Sequence, residues 1–450
     1  ATEEVLAQVA KGGPKDVAAA VAAAKAAFDP WRWTSANERA AMLREVVAKA
    51  AQHHDALVEL LTLEEGKPRV ENEEEVGWAA ETFTYYAEMA RMVRGQVIPS
   101  AARSQLNMVI QEPYGVVGCI VPWNYPLLLP SWKIAPALAA GNTVVIKPSE
   151  MTPLSTLLFV EKCFDHLPPG VVNVVPGFGE AGQALVEHPD VPMIAFTGSV
   201  QTGQKIAAIC APMMKHTHLE LGGKDAFVLG PDADVDKAVR AIAYSALINC
   251  GQVCTSSERV YVPQHQRDRF AEGVSDLVKD LHLGPGLDPD TDVGPMIGAR
   301  YREKVAGHVE EARGKGAKVL TGGKIPKRKG YFYEPAVLVQ VDHAMSIMRE
   351  ETFGPAIPIM GYGDIDEAIR WVNDSVYGLG ATLRSNDPQV CKRFFEEVKA
   401  GTVWINDPLT DNHAGPFGGM KMTGGSRELG EEGFFTFMET KHVHWDFSDE

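Results

Sequence analysis

The sequence predicts an α/β fold: a doubly wound parallel sheet, a second α/β unit after it, and short β segments outside both. Three observations carry this. Between residues 115 and 210, apolar runs alternate with amphipathic stretches, the rhythm of βαβ units. A second alternation begins near Asp225 and continues to about residue 407. The β-like stretches near 98–113 and 436–446 fit neither rhythm.

The elements follow in order. KDVAAAVAAAKAAF (15–28) is alanine-rich, with apolar residues at helical spacing. Residues 36–63 and 72–94 read as amphipathic helices separated by the Gly66–Pro68 break. QLNMVIQE (105–112) alternates like a strand, and GVVGCIVP (115–122) is a continuous apolar run of the buried-strand type. TVVIKP (143–148) precedes a helix near 153–166, VVNVVPG (171–177) one near 180–187, and MIAFTGS (193–199) one near 201–210. That order implies a parallel sheet with helices on both faces. FFTFMETKHVHWDF (434–447) returns to strand-like alternation.

A chain of 450 residues is expected to form two or more domains. Its net charge of −16 argues against nucleic acid as a partner, since phosphate binding needs clustered Lys and Arg. The basic run Lys324–Lys329 (KIPKRK) reads as a solvated loop. Six scattered cysteines form neither a disulfide framework nor a metal-ligand spacing, so a reducing compartment and no metal are expected. No apolar run reaches membrane-span length, so no membrane partner is expected. The chain opens at Ala1, which leaves a removed targeting segment open; cytoplasm is the default expectation.

Three residue types point to covalent chemistry on an acyl group. Cys254 follows a glycine-containing turn in NCGQVCTSSERVYV, a flexible, polar setting that a small substrate could reach. Glu220 ends an apolar strand and meets Gly222 and Gly223; a carboxylate there is costly to bury unless it is used or paired. Asn124 sits between rings in PWNYP. Each has a bland reading too: a buried structural thiol, a loop carboxylate, a turn residue.

Two turns suit a phosphate. GFGEAG (177–182), ending at Gly182, fits G-x-G-x-x-G, a weak match among 42 glycines. FTGSVQTG (196–203) is better: a buried strand through Phe196 ends at Gly198 and Ser199, and a helix starts at once. An ordinary N-cap at Ser199 explains it equally well. KPSE puts Lys147, Ser149 and Glu150 at another strand end. There an acidic residue can take both ribose hydroxyls and repel a 2′-phosphate, favouring NAD, unless Ser149 or Glu150 caps the next helix.

The runs PWNYPLLLPSWKIAPALAAGNTVVIKPSE, FTGSVQTG, LELGGKDAFVL, GQVCTSSERVYV, EETFGP and PFGGMKMTGGSREL together resemble the NAD(P)-dependent aldehyde dehydrogenase superfamily, in the family's order along essentially the whole chain. The strands that precede a segment like ATEEVLAQVA in that family are expected to be missing here. The resemblance implies Cys254 as nucleophile, Glu220 as general base and Asn124 as oxyanion donor. It implies Glu351 and Phe353 at the nicotinamide ribose and ring, Lys147 and Glu150 at the adenosine ribose, Ser199 at the pyrophosphate, and Trp123 against the cofactor. Ser149, Gly182, Phe196, Gly198, Leu221 and Gly222 complete the expected cofactor surroundings. Lys133 and Glu428 match a buried pair that holds the glutamate or relays its proton.

The resemblance also implies an architecture. A Rossmann-like NAD-binding domain would comprise 1–97 and 114–222, and a catalytic domain 223–422. Segments 98–113 and 423–450 would form a bridging arm that pairs with a neighbour's sheet, giving a homodimer or a dimer of dimers.

Tyr125 and Trp132 match aromatic positions of the betaine-aldehyde and amino-aldehyde branch, where rings cage an ammonium. Phe417 would add a third face and Asp411 a carboxylate, with Val253 and Thr255 flanking the nucleophile. Ile248 departs from the plant members' tryptophan. The same rings suit a broad aliphatic or aromatic tunnel, and that reading stays open. A coenzyme-A-acylating dehydrogenase is disfavoured by Glu220, and a cysteine hydrolase or a non-enzymic scaffold has no use for the whole set.

Overall fold

The computed structural model describes residues 1–407 and 409–448; the last two residues of the expected 423–450 segment lie outside it. Among the described residues the strands are β1 (Gln96–Ile98) and β2 (Gln105–Pro113), then β3 (Val116–Ile120), β4 (Thr143–Lys147), β5 (Val172–Val174), β6 (Met193–Thr197) and β7 (His216–Glu220). After them come β8 (Asp225–Leu229), β9 (Ser257–Pro263), β10 (Lys318–Thr321), β11 (Ala336–Val339), β12 (Ala356–Tyr362), β13 (Gly380–Arg384), β14 (Thr402–Ile405) and β15 (Met438–Asp446).

The first sheet runs β5-β4-β3-β6-β7, with every pair parallel. All residues of β3, β4 and β6 are buried, because helices cover both faces; that is why these strands read as unbroken apolar runs. The chain moves outward from β3 to β5, then returns to β6 on the other side. Such a reversal opens a crevice at the carboxyl ends of the strands. The second sheet runs β10-β11-β12-β9-β8-β13-β14 and is parallel except at the β10 edge. Only Leu221–Lys224 separates β7 from β8, so Glu220 lies at the junction of the two sheets.

β1, β2 and β15 form a small antiparallel sheet, its β2–β15 register running from Gln105↔Asp446 to Pro113↔Met438. Trp445 and Phe447 remain more than half exposed on it. No helix among the described residues is long and apolar enough to cross a membrane.

Two expectations, over 36–63 and 434–447, need correction. The helix expected over 36–63 is two helices, Ala36–Gln52 and His54–Glu65, parted at His53, whose φ of −105° and ψ of 13° leave the helical range. The strand expected over 105–112 is present as β2, with the short β1 and a turn before it. The 434–447 stretch begins as the end of a helix, Gly430–Phe435. There Phe434 and Phe437, three apart, bury together and Phe434 stacks on Tyr86, so helical packing wins over alternation until Met438.

Candidate active site

The turn before Cys254 is strained. Asn249, Cys250 and Gly251 follow one another at φ of +49°, +56° and +71°. Left-handed backbone costs roughly 1–2 kcal/mol per non-glycine residue, so the surroundings must impose it. They do so through Asn249. Its backbone N–H donates to Glu71 Oε2 (2.8 Å), and its Nδ2 donates to Glu65 Oε1 (2.9 Å) and to the Asn124 carbonyl (2.8 Å).

Behind this turn lies a buried charge network. Lys67 pairs with Glu75 and, at 3.3 Å, with Glu65; all three side chains are fully buried. Glu75 Oε1 accepts the amides of Leu127 and Leu128, fixing the start of the helix Leu128–Ala140. That helix carries Trp132 and Lys133. Asn124 is buried, and its Nδ2 donates to the Gln252 carbonyl at 3.0 Å, two residues before Cys254. The Cys254 carbonyl in turn closes on the Glu220 loop, where a Cβ on Gly223 would sit 2.5 Å from it.

Glu220 is 1% exposed, and neither carboxylate oxygen has a hydrogen-bond partner among the described residues. Burial, then the Glu428 charge, holds its carboxyl far above the usual range. Lys133 and Glu428 are paired beside it, and Lys133 also donates to Thr197 Oγ1 at 2.6 Å.

A cavity of about 300 Å³ reaches Cys254. The structure brings all seven expected tunnel residues to its wall: Tyr125, Trp132, Ile248, Val253, Thr255, Asp411 and Phe417. The Trp132 and Phe417 rings meet at 4.8 Å between centroids. Glu74, Trp78, Tyr244 and His413 also line it and were not foreseen. Glu74 and Trp78 stand four apart on one helix face, and only the docking of that helix aims them at the cavity. No Lys or Arg lies among the described lining residues. Asp411 keeps exposed surface at the mouth; solvent moderates the burial that, with Asp407, would carry its carboxyl to about 7.

The expected polar setting of Cys254 is corrected. The residue is half-buried, and its thiol is held well above its ordinary value by burial first, then by Glu220, Asp225, Asp411 and Glu351. Apolar walls and a ring of acids both favour the neutral thiol.

The second cluster lies at the crevice of the first sheet. Lys147 ends β4 and approaches Glu150 at 3.4 Å, and Gly182 lies beside the Lys147 stem, where a Cβ would make an ordinary contact at 3.6 Å from Cδ. Glu150 is exposed and caps nothing: the next helix, Pro153–Cys163, has its first amides on Glu64 instead. Ser149 Oγ accepts from the Met151 amide. Ser199 is the N-cap of the helix Val200–Cys210, its hydroxyl accepting from the Thr202 amide. Phe196 lies under Gly198, where a Cβ would meet the ring at 2.6 Å.

Trp123 bridges the clusters, edge-on to Phe353 at 5.4 Å. Glu351 Oε1 accepts the Gly223 amide at 3.1 Å, and a Cβ on Gly222 would sit 2.5 Å from the same oxygen. Leu221 packs against Gly203 on the helix Val200–Cys210. The donor set suits a dinucleotide. An exposed carboxylate can take a diol, a helix start can take a phosphate, and an aromatic–acid pair next to the thiol can take the second nucleoside.

Comparison with known proteins follows this geometry. The family model described as "Aldehyde dehydrogenase family" matches residues 1–443. The chain is 39% identical over 451 residues to the betaine aldehyde dehydrogenase of Bacillus subtilis, covering 98% of this chain and 92% of that protein. It is 40% identical over 445 residues to the mitochondrial succinate-semialdehyde dehydrogenase of Arabidopsis thaliana, covering 98% and 84%. The NAD+ complex of the aldehyde dehydrogenase from Bacillus cereus superposes with a TM-score of 0.97 at 38% identity, over 99% of this chain and 92% of that one. A family match along nearly the whole sequence, with relatives about 40% identical over 98% of it, makes this protein a member of the aldehyde dehydrogenase family.

Proposed function

We propose that this protein oxidises a cationic aldehyde to the carboxylic acid, with NAD as acceptor, through an acyl group held on Cys254. The observation that carries the reading is the cavity ending at Cys254, with the buried Glu220 carboxyl, without a hydrogen-bond partner among the described residues, on the loop whose Gly223 closes on the Cys254 carbonyl.

The chemistry follows from these groups. Cys254 Sγ, once deprotonated, adds to the aldehyde carbon, and the carbonyl electron pair moves to oxygen. That oxyanion is held by Asn124 Nδ2, whose second hydrogen is not needed for Gln252, and by the Cys254 amide; one such donor commonly supplies about 3–4 kcal/mol. Bound NAD would supply the hydride acceptor, and loss of that hydride from the adduct on Cys254 would leave a thioester. Glu220 then takes a proton from water, hydroxide adds to the thioester carbon, the C–S bond breaks and the thiolate is regenerated. A carboxyl tuned upward suits this task better than one of ordinary strength, because a base works best near the ambient pH. The Lys133–Glu428 pair stands next to Glu220 and tunes it, the Glu428 charge raising its carboxyl and the Lys133 ammonium lowering it.

For the cofactor, Glu150 would take the adenosine ribose, with Lys147, Ser149 and Gly182 around it. The helix start at Ser199, with Phe196 and Gly198 beneath it, would take the pyrophosphate. Trp123, Leu221, Gly222, Glu351 and Phe353 would frame the nicotinamide end.

The wall composition supports a cation over an anion. Trp132 and Phe417 offer ring faces and Asp411 and Glu74 offer carboxylates, the Tyr125 ring already has the Lys67 ammonium 4.0 Å from its centre, and no Lys or Arg is among the described lining residues. A broad aliphatic or aromatic range is the second reading, favoured by the apolar Ile248, Val253, Leu128 and Leu129 on the same wall. We assign 1–97 and 114–222 to cofactor binding and 223–422 to catalysis. Exposed Trp445 on β15 and Phe447 just past its end support a role for its sheet in a homodimer or a dimer of dimers. Comparing kcat/KM on betaine aldehyde, aminobutyraldehyde, hexanal, benzaldehyde and succinate semialdehyde tests the substrate. The cations should lead, and a lead by succinate semialdehyde or hexanal overturns the cation reading. Cys254→Ala should make no NADH while still binding NAD; steady turnover by that variant overturns the mechanism.

A further inference from the structure

Glu258 lies four residues past Cys254 at the start of β9 and is 3% exposed. Its Oε2 accepts the Thr352 amide at 2.7 Å and the Lys224 ammonium at 2.6 Å; its Oε1 accepts the Phe353 amide at 2.6 Å. Lys224, fully buried and four residues past Glu220, also donates to Thr352 Oγ1 at 3.0 Å. His308 Nδ1 stands 3.1 Å from the same hydroxyl. One carboxylate thus joins the segment after the nucleophile, the segment after Glu220 and the turn 351–353.

The turn needs such a hold. Phe353 sits at φ of +56°, and a bulky residue persists there only where its surroundings over-determine it, at a cost of about 1–3 kcal/mol. Two successive amides on a single carboxylate impose that conformation directly. The buried anion is itself tolerable because Lys224 neutralises it. A purely structural ion pair would need only Lys224. The paired amides aim Phe353 toward Trp123 and keep Glu351 on the Gly223 amide.

We propose that Glu258 is a positioning residue that sets the Glu351–Phe353 turn for the nicotinamide end of the cofactor. The proposal rests on the reading of Glu351 and Phe353 given above. Glu258 touches neither substrate nor cofactor; it acts through the two amides it holds.

Calorimetry on the full chain tests it, with NAD and ADP-ribose as ligands for the wild type, Glu258→Gln and Glu258→Ala. ADP-ribose lacks the nicotinamide and reports the adenosine half alone. Glu258→Ala should weaken NAD about tenfold, the equivalent of about 1.4 kcal/mol, and leave ADP-ribose within about twofold. Glu258→Gln keeps the shape and one amide acceptor and should recover part of the loss, with KM for NAD raised more than kcat is lowered. The glutamine variant also serves if the alanine variant does not fold. Equal loss of both ligands, or no loss of either, in a folded variant overturns the proposal while the cofactor reading stands. A wild type that binds neither NAD nor ADP-ribose overturns both.

Discussion

Glu220 adjoins Cys254 where the two sheets meet: after burial itself, the Glu220 carboxylate is the largest influence holding the Cys254 thiol protonated. Glu220 is in turn pushed up by burial and by Glu428. Burial and neighbouring acids thus hold both groups above their ordinary values.

Replacing that carboxyl should free the thiol. Glu220→Gln removes a negative neighbour and should lower the pH at which Cys254 alkylates. The rate of iodoacetamide modification against pH measures this. A midpoint that stays put or rises contradicts the coupling.

The same substitution should divide the reaction. Glu220→Gln should still give a first burst of NADH of about one equivalent per site, then stall, because no base activates water. Losing a positioned base commonly costs about 10²–10⁴-fold. Stopped-flow absorbance of NADH reads both phases, and full steady turnover contradicts the assigned role.

Asp411 should make cation binding depend on pH. Burial and then Asp407 push its carboxyl above the ordinary range, and it is charged above that raised window. KM for betaine aldehyde should therefore fall as pH rises through that window and then level off. Asp411→Asn should flatten the trend, whereas KM for hexanal should not follow it in either form.

Glu150 should exclude the 2′-phosphate of NADP. Glu150→Ser should raise kcat/KM for NADP by roughly tenfold or more, about 1.4 kcal/mol of repulsion removed. A wild type already equal on both cofactors would show that this exposed carboxylate does not select.

Lys67 should matter for stability more than for chemistry. Lys67→Met leaves Glu65 and Glu75 buried without their cation, and breaking a buried pair this way costs about 3–5 kcal/mol. Thermal unfolding should shift down clearly. If it does not, the network is not what holds the strained turn at Asn249.

The sequence by itself determined much of this protein. The unbroken apolar runs at 116–120, 143–147 and 193–197 announced strands covered on both faces, and strand–turn–helix punctuation placed Ser199 and Glu150 at their carboxyl ends. Local motifs made Cys254, Glu220 and Asn124 candidates, the buried carboxylate by its cost and the other two only as readings beside bland ones, and the family resemblance gave all three their roles.

Only the tertiary structure decided the rest. It broke the 36–63 helix at His53 and turned Phe434 and Phe435 into a helix end, since packing against Tyr86 outweighs local alternation. It brought Glu74, Trp78 and Tyr244 to the cavity from two separate helices. It set Glu65, Lys67, Glu71 and Glu75 behind the nucleophile turn and Glu258 beneath Phe353. The physical reason is the same each time. Burial and charge pairing depend on which distant segments meet in space, and neither periodicity nor spacing along one segment encodes that meeting.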